Sequence, residues 1–374
     1  MKIAVLTSSR ADYGFLKPLL TQMYKDDFFQ PQIITFGTHQ SAFYGNTYQH
    51  IENDGFVATK NVDSILINHT PEAIATSMGL TTIKFASIWA DFSKNKEDKI
   101  DLILCLGDRY EMFAAIAASL PFNIPIAHLS GGETTLGAID DAFRNSLTIM
   151  SAIHFTNTQA NAQRVKEIKG SDKKVFFVGS LAIDNIKTTK LLSIEEFKEK
   201  NNIDLSIPTI LVSFHPETMN IQKNEYYAQQ VAKSLEELSK DFQIIITMPN
   251  ADTMSNVIRE AFVKIISKKY IIHTVESLGS VGYYSCLQNA CFLIGNSSSG
   301  IVEAASFGKY VINLGDRQKG REAANNVIHC IIEQEEILNN AFKISKLPTL
   351  KKENIYGDGN TTNRICSILK EISL

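Results

Sequence analysis

The stretch from Gly295 to Gly300 has residue types suited to binding an anion. Its three consecutive serines follow a short apolar run, Cys291–Ile294, and precede a segment of helical character that carries Glu303. A strand, a turn of small residues and a helix start would leave backbone N–H groups pointing outward, and serine hydroxyls add donors without bulk. The alternative is a serine-rich cap on an ordinary helix. The pattern therefore predicts a phosphate-binding turn or a cap.

Cations at two other strand ends favour the phosphate interpretation. Gly315-Asp-Arg-Gln-Lys-Gly-Arg321 follows the apolar run Tyr310–Leu314, and Arg10 follows the first apolar run of the chain. Arg10 either pairs with a phosphate or forms a surface salt bridge with Asp12. Its loop lacks the G-x-G-x-x-G pattern, so the sequence does not favour a dinucleotide there.

Carboxylates gather after two apolar runs of the first half. Asp108 follows the run Leu102–Leu106, and His128-Leu-Ser-Gly-Gly-Glu133 and Ile139-Asp-Asp-Ala-Phe-Arg144 come soon after the next run. Grouped carboxylates push one another's pKa apart, which lets one act as a base while another stays protonated as an acid. The alternative for Asp140 or Asp141 is a helix cap. We predict acid–base chemistry in this region.

His215 ends the first apolar run of the second half, in Ser213-Phe-His-Pro-Glu-Thr218. From a strand end, an imidazole could bind phosphate or move a proton, and the alternative is a hydrogen-bonded structural histidine. The histidines form no H-E-x-x-H pair, and only Asp108 with Glu133 could hold a hard ion. We therefore expect no metal.

Length, charge and cysteine usage narrow the class of protein. A chain of 374 residues favours two domains. The net charge of −3, with no long run of either sign, does not favour nucleic acid or membrane as a partner. The five cysteines form no C-x-x-C pair, and no apolar run has the length of a signal peptide or membrane span. We expect a soluble, cytoplasmic protein.

Short apolar runs alternate with helical segments in both halves of the chain, which predicts parallel sheets covered by helices. The pattern lapses at the charged stretch before Pro208 and then restarts. We predict an α/β protein of two Rossmann-like, doubly wound domains with ligands at the strand ends. The predicted parts are a carboxylate-bearing domain at 1–190, a linker at 191–208, a nucleotide-binding domain at 209–359 and a final helix at 360–374.

Together, these motifs resemble the hydrolysing UDP-N-acetylglucosamine 2-epimerases of sialic and legionaminic acid biosynthesis. The resemblance implies the GT-B architecture, with the last helix crossing back onto the first domain, and a homo-oligomer such as a dimer or tetramer. The matching motifs, in chain order, are Arg10-Ala-Asp-Tyr-Gly, Gly107-Asp-Arg, His128-x-x-Gly-Gly-Glu, Ile139-Asp-Asp-x-x-Arg, Val178-Gly-Ser, Phe214-His-Pro, Pro249-Asn-Ala-Asp, Gly295-Asn-Ser-Ser-Ser-Gly and Gly315-Asp-Arg-Gln-x-Gly-Arg.

The resemblance also assigns residues. It implies that Asp108, Glu133 and Asp140 are catalytic, with Asp108 as the main general acid/base. Two departures bear on this set, because many relatives have a glutamate at the position of Ser130 and a histidine at that of Asn145. The residues expected to bind the nucleotide sugar are Arg10, Arg109, His215, Asn250, Ser297, Ser298, Glu303 and Arg317.

The implied activity converts UDP-N-acetylglucosamine and water to N-acetylmannosamine and UDP. UDP is eliminated to leave a 2-acetamidoglucal, and water then adds; neither nicotinamide nor metal is required. An alternative substrate is UDP- or GDP-linked 2,4-diacetamido-2,4,6-trideoxyglucose of the legionaminic acid route. A GT-B glycosyltransferase, a non-hydrolysing epimerase and a nucleotide-sugar-binding protein without catalysis remain as other interpretations.

Overall fold

The computed structural model describes residues 1–67, 70–94, 97–217, 221–249, 254–266 and 271–373. The chain divides into two compact units. The first unit comprises Met1–Glu133, Asp140–Lys187 and Tyr356–Leu374, and the second comprises Thr134–Ile139 and Thr188–Ile355. Each unit is an α/β fold built on one parallel sheet, as the alternating sequence pattern predicts.

The sheet of the first unit has the strand order β3-β2-β1-β4-β5-β6-β7. Its central strands are mostly apolar because helices cover both faces. Successive residues face opposite sides: Ile3 and Val5 pack into one core, and Ala4 and Leu6 into the other. The strands are β1 (Lys2–Thr7), β2 (Gln30–Thr35), β3 (Ala58–Asn61), β4 (Leu102–Leu106), β5 (Ile126–Leu129), β6 (Ile153–Thr156) and β7 (Val175–Phe177).

Two helices far apart in the chain cover one face of this sheet. Helix α1 (Arg10–Tyr24) buries Leu16, Leu19, Leu20 and Met23, which recur at the three-to-four spacing of one helix face. Helix α14 (Thr361–Glu371) joins the same core, and the Asp184 carboxylate accepts hydrogen bonds from the first two N–H groups of that helix. The other helices of the unit are α2 (Tyr48–Asn53), α3 (Pro71–Lys94), α4 (Tyr110–Ala117), α5 (Asp140–Met150), α6 (Gln159–Lys169) and α7 (Leu181–Thr188).

The second unit repeats the design with the strand order β10-β9-β8-β11-β12-β13. The carboxyl ends of β8, β11 and β12 therefore lie side by side. The strands are β8 (Thr209–Ser213), β9 (Gln243–Thr247), β10 (Ile272–Val275), β11 (Phe292–Gly295), β12 (Val311–Leu314) and β13 (Val327–Cys330). The helices are α8 (Ile194–Asn201), α9 (Asn224–Leu238), α10 (Ser255–Lys264), α11 (Gly279–Asn289), α12 (Ser298–Val302) and α13 (Gln334–Ile344).

The structure corrects the predicted linker at 191–208. That stretch belongs to the second unit and contains α8, which a capping box between Ser193 and Glu196 starts. Phe197 is fully buried, so this charged helix is anchored in the unit.

The boundaries of the predicted parts also differ from those of the units. Residues 134–139, placed in the first domain by the sequence, belong to the second unit. The segment from Tyr356 belongs to the first unit and begins before the predicted final helix at 360. Strand β3 has no apolar run, so the sequence pattern did not identify it. Within the described residues, no helix combines the length and apolarity needed to span a membrane.

Candidate active site

Asp108 and Glu133 lie at the carboxyl ends of neighbouring strands of the first unit. Asp108 follows β4 and Glu133 follows β5, and these strands are paired in the sheet. Strand β6 is next to β5 and is followed by Asn157. Parallel strands bring their carboxyl ends to one edge, so three loops gather polar side chains there.

Arg144, on helix α5, links the carboxylates of this edge. Its side chain is 1% exposed and forms an ion pair with Asp108, whose side chain is 25% exposed. A second guanidinium nitrogen lies 3.5 Å from a carboxylate oxygen of Asp141 and donates to the main-chain oxygen of Glu133 at 3.0 Å. The buried guanidinium thus compensates the negative charges of Asp108 and Asp141, which would otherwise destabilise this partly buried edge.

The carboxylate of Glu133 is hydrogen-bonded by Asn157, which follows β6. The side-chain amide of Asn157 donates to Glu133 Oε1 at 2.7 Å, and the same nitrogen lies 3.1 Å from Ser130 Oγ. Both Glu133 and Asn157 are only 6% exposed. Ser130, one of the two departures from the resembled motifs, thus contacts the amide that holds Glu133.

Asp140 and Asp141 both lie in the first turn of α5. Asp141 joins the Arg144 cluster and also accepts from Asn145 Nδ2 at 3.1 Å. Asn145, the other departure from the resembled motifs, is therefore a neighbour of the carboxylates. Asp140 is half-buried as the first residue of the helix.

His128 contacts the loop that precedes Asp108. Its Nε2 lies 2.8 Å from the main-chain oxygen of Gly107 and therefore donates to it, and Thr148 Oγ1 lies 3.3 Å from Nδ1. Burial lowers the pKa of His128 to about 4, so the ring is neutral near pH 7. The neutral ring thus stabilises the turn at Gly107, which precedes Asp108, by a hydrogen bond.

The two predicted arginines of the first unit differ in setting. Arg109 forms a two-pronged ion pair with the fully buried Glu111, at 2.8 and 3.1 Å. Arg10 is exposed at the first position of α1. The Asp12 carboxylate accepts from the hydroxyls of Ser8 and Ser9 at 2.6 and 2.7 Å, so Asp12 serves the N-terminal turn of the helix.

The serine turn of the second unit has the predicted strand–turn–helix form. Strand β11 ends at Gly295, Ser297 caps α12, and Ser298 is the first helical residue. Gly295 has φ of +150°, and a Cβ there would lie 1.9 Å from the main-chain oxygen of Ser213. Only glycine permits this close approach of β8 and β11.

Asn296 ties together three loops at the strand ends of the second unit. Its buried amide accepts from His215 N at 2.7 Å and donates to His215 O at 2.8 Å. Its main-chain oxygen accepts from Arg317 at 3.2 Å and from Gln318 at 2.9 Å. The loops after β8, β11 and β12 therefore form one framework, and His215 and Arg317 share a partner.

Glu303 follows α12 and is 5% exposed. Burial raises its pKa to about 7, although Tyr284 donates a hydrogen bond to Oε1 at 3.0 Å. Such a carboxylate gains from further O–H donors, which suits ribose hydroxyls and disfavours a phosphate. Asn250 lies outside the described residues.

Sequence reasoning missed three residues of these frameworks as site residues: Arg144, Asn157 and Asn296. Arg144 and Asn296 were present in the quoted motifs, and Asn157 stands in a Thr-Asn-Thr run directly after an apolar run. Among the residues that the structure describes, no group of three or more His, Cys, Asp or Glu side chains could hold a metal ion.

The chain matches a family model described as UDP-N-acetylglucosamine 2-epimerase over residues 21–370. It is 32% identical to the UDP-N,N′-diacetylbacillosamine 2-epimerase (hydrolysing) of Legionella pneumophila, over 100% of this chain and 96% of the relative. It is 34% identical to the GDP/UDP-N,N′-diacetylbacillosamine 2-epimerase (hydrolysing) of Campylobacter jejuni, over 91% of this chain and 86% of the relative.

The fold is similar to a solved structure of UDP-GlcNAc 2-epimerase from Neisseria meningitidis bound to UDP-GlcNAc. The TM-score is 0.84, with 18% sequence identity over 100% of both chains. The predicted fold class, two Rossmann-like units of GT-B type, is confirmed.

Proposed function

The chain belongs to the UDP-N-acetylglucosamine 2-epimerase family and is an enzyme of the hydrolysing 2-epimerase kind, and from that premise we propose its substrate and mechanism. The proposed substrate is UDP-N,N′-diacetylbacillosamine, which is UDP-2,4-diacetamido-2,4,6-trideoxyglucose. The proposed products are UDP and 2,4-diacetamido-2,4,6-trideoxymannose. The observation that carries the proposal is the cluster of Asp108, Glu133 and Arg144 in a chain similar to diacetylbacillosamine 2-epimerases over its full length.

The choice of sugar rests on the relatives. Two relatives at 32% and 34% identity are named for the diacetamido sugar, which favours it over the UDP-N-acetylglucosamine expected first from the motifs. One relative is named for both GDP and UDP, so the GDP-linked sugar is a specific second candidate.

The proposed reaction has two stages. In the first, a base takes the C2 proton, the C1–O bond breaks, and UDP leaves with the bonding electrons. In the second, water adds its oxygen to C1 of the resulting glycal, and an acid returns a proton to C2 from the opposite face. Overall the sugar is neither oxidised nor reduced, so the balance needs no redox cofactor.

We assign proton transfer to the carboxylates of the first unit. Asp108 is the main acid/base in this assignment, with Glu133 and Asp140 as its partners, because inversion at C2 needs proton-transfer groups on both faces of the sugar. The ion pair with Arg144 supports this role for Asp108, since the guanidinium holds the carboxylate in a fixed position at the strand end.

We assign nucleotide binding to the framework of the second unit. Ser297 and Ser298 offer hydroxyl and backbone donors at a helix start, and Arg317 and His215 follow the flanking strands. These groups would stabilise the charge that develops on the leaving diphosphate. Glu303 would accept the ribose hydroxyls, and Asn250, Arg10 and Arg109 complete the proposed binding set.

We also propose a homo-oligomer in a reducing compartment such as the cytoplasm. The five cysteines are free thiols, four of them buried, which supports the compartment. Light scattering of the purified protein would measure the oligomer.

The substrate is tested by comparing kcat/KM for UDP-N,N′-diacetylbacillosamine, its GDP-linked form and UDP-N-acetylglucosamine, with nucleotide release as the readout. We expect the first to be favoured by at least tenfold. A preference for UDP-N-acetylglucosamine would overturn the assignment of the sugar, and a preference for the GDP form would overturn that of the base.

A further inference from the structure

We propose that Asn157 is a positioning residue that orients the carboxylate of Glu133 for proton transfer, with Ser130 fixing the plane of the amide. This inference rests on the proposed function, in which Glu133 takes part in acid–base chemistry. It assigns a role to a residue outside the motifs of the sequence analysis, and it gives a physical reason for Ser130 at that position.

The contacts of the Asn157 amide carry the inference. Nδ2 donates to Glu133 Oε1 at 2.7 Å, the short distance typical of a charge-assisted bond. Ser130 Oγ lies 3.1 Å from Nδ2 and 3.3 Å from Oδ1, so the hydroxyl contacts both ends of the amide. Asn157 and Glu133 are each more than nine-tenths buried. The amide is therefore fixed at one end and directed at one carboxylate oxygen.

The loop that carries Glu133 has an unusual backbone conformation that fixes the position of Glu133 relative to Asn157. Ser130 has φ of +65°, which is uncommon for a residue other than glycine. Gly132 has φ of +79°, and a Cβ there would lie 2.2 Å from the main-chain oxygen of Asn161. This backbone conformation places Glu133 next to Asn157. A side chain at residue 132 would clash with the main chain of Asn161 and prevent that conformation.

Other charged groups around Glu133 belong to different elements. Arg144 on α5 donates to the Glu133 main-chain oxygen, and it also pairs with Asp108 after β4 and Asp141 on α5. Arg164 on α6 lies 3.7 Å from Asp141, and the neutral His128 lies on β5. A substitution at Asn157 leaves all of these groups in place.

The chemical consequence concerns the orientation of the Glu133 carboxylate. The N–H donor on Oε1 holds that carboxylate in one orientation, and a proton-transfer group must lie within hydrogen-bond reach of the reacting atom. Loss of a hydrogen bond to a charged group corresponds to a factor of about ten or more. Without the donor, turnover should therefore fall, and a carboxylate in place of the amide would repel Glu133 and should have a stronger effect.

The chain offers a matched control in Asn161. It is also 6% exposed and lies four residues further on, but its amide oxygen accepts from Thr158 in the first turn of α6. The test measures kcat and KM for wild type, N157L, N157D, N161D and S130A on UDP-N,N′-diacetylbacillosamine. Thermal unfolding of each variant shows whether it is folded.

We expect N157L to lower kcat at least tenfold with KM within about threefold. N157D should lower kcat further, and N161D should leave kcat within about twofold of wild type. S130A should lower kcat by a smaller factor of about three. A kcat close to wild type in folded N157L and N157D, or an equal loss of kcat in N161D, would refute the positioning role.

A second readout separates this inference from the proposed function. If wild type releases no nucleotide from any of the three sugars, the proposed function fails. The side-chain carboxyl carbon of Glu133 can then be observed by NMR with 13C-labelled glutamate, using E133Q to assign the signal. A changed chemical shift of this carbon in N157L but not in N161D supports the contact's role, and identical chemical shifts in wild type and N157L contradict it.

Discussion

Replacing Arg144 by methionine tests the guanidinium at the centre of the carboxylate cluster. Methionine keeps much of the apolar stem and removes the charge. Breaking one partner of a buried ion pair costs roughly 3–5 kcal/mol. Arg144 is 1% exposed, but Asp108 and Asp141 retain 25% and 17% exposure, so water recovers part of the loss and we expect about 3 kcal/mol, the lower end of that range.

In a domain of roughly 200 residues, each kcal/mol lowers the melting temperature by about 2–4 °C, so R144M should melt about 6–12 °C below wild type. Turnover should fall as well, because Asp108 loses the group that holds it. Calorimetry and steady-state kinetics measure the two effects.

Arg164 provides the matched control for this experiment. It lies 3.7 Å from the same Asp141 but is 36% exposed, and exposed pairs contribute about 0–1 kcal/mol. R164M should therefore melt within about 4 °C of wild type. In a double-mutant cycle, D108N should cost less in the R144M background than in wild type. Equal losses in R144M and R164M, or additive losses in the cycle, would refute this reasoning.

Three further perturbations test other parts of the structure. Because burial raises the pKa of Glu303 to about 7, the ionised acceptor is lost as the pH falls through 7. UDP affinity measured by calorimetry should then weaken more steeply in wild type than in E303Q; parallel pH dependences would contradict the ribose role. A Cβ at Gly137 would lie 2.3 Å from the main-chain oxygen of Asp316, so G137A should displace segment 134–139 from the loop that carries Arg317. UDP binding should weaken about tenfold in G137A but not in G79A, whose added methyl group meets nothing within 4 Å; equal affinities would argue against this coupling. Burial lowers the pKa of His39 and His128 to about 4 and of His154 to about 3, against about 6.5 in the unfolded chain. Each histidine should therefore cost about 1.4 kcal/mol of stability per pH unit as the pH falls from 6.5 towards 4, which urea unfolding measures; a flat stability profile there would contradict their burial.

The fold was predictable where burial leaves a periodic signal. Strands covered on both faces are apolar throughout, so runs such as Leu102–Leu106 and Val311–Leu314 identify the sheets directly. Strand β3 lacks that signal because three of its four residues are exposed at the sheet edge. Helix α8 was interpreted as a linker because its charged surface outweighs one buried anchor, Phe197.

The site was predictable where motifs follow strands, and less so where contacts join distant parts of the chain. The serine turn and the carboxylates of Asp108 and Glu133 stand directly after strands. Arg144 contacts Asp108 across 36 positions of sequence, and Asn157 contacts Glu133 across 24. No local periodicity encodes such pairs, since the strand order alone brings them together.

We propose that the enzyme eliminates UDP and then hydrates a glycal with inversion at C2. The most direct test is an NMR time course in D2O with purified protein and UDP-N,N′-diacetylbacillosamine, without added metal or nicotinamide. We predict free UDP and a manno-configured sugar that carries deuterium at C2. A product that retains hydrogen at C2 would contradict the elimination, and a gluco-configured product would contradict the inversion.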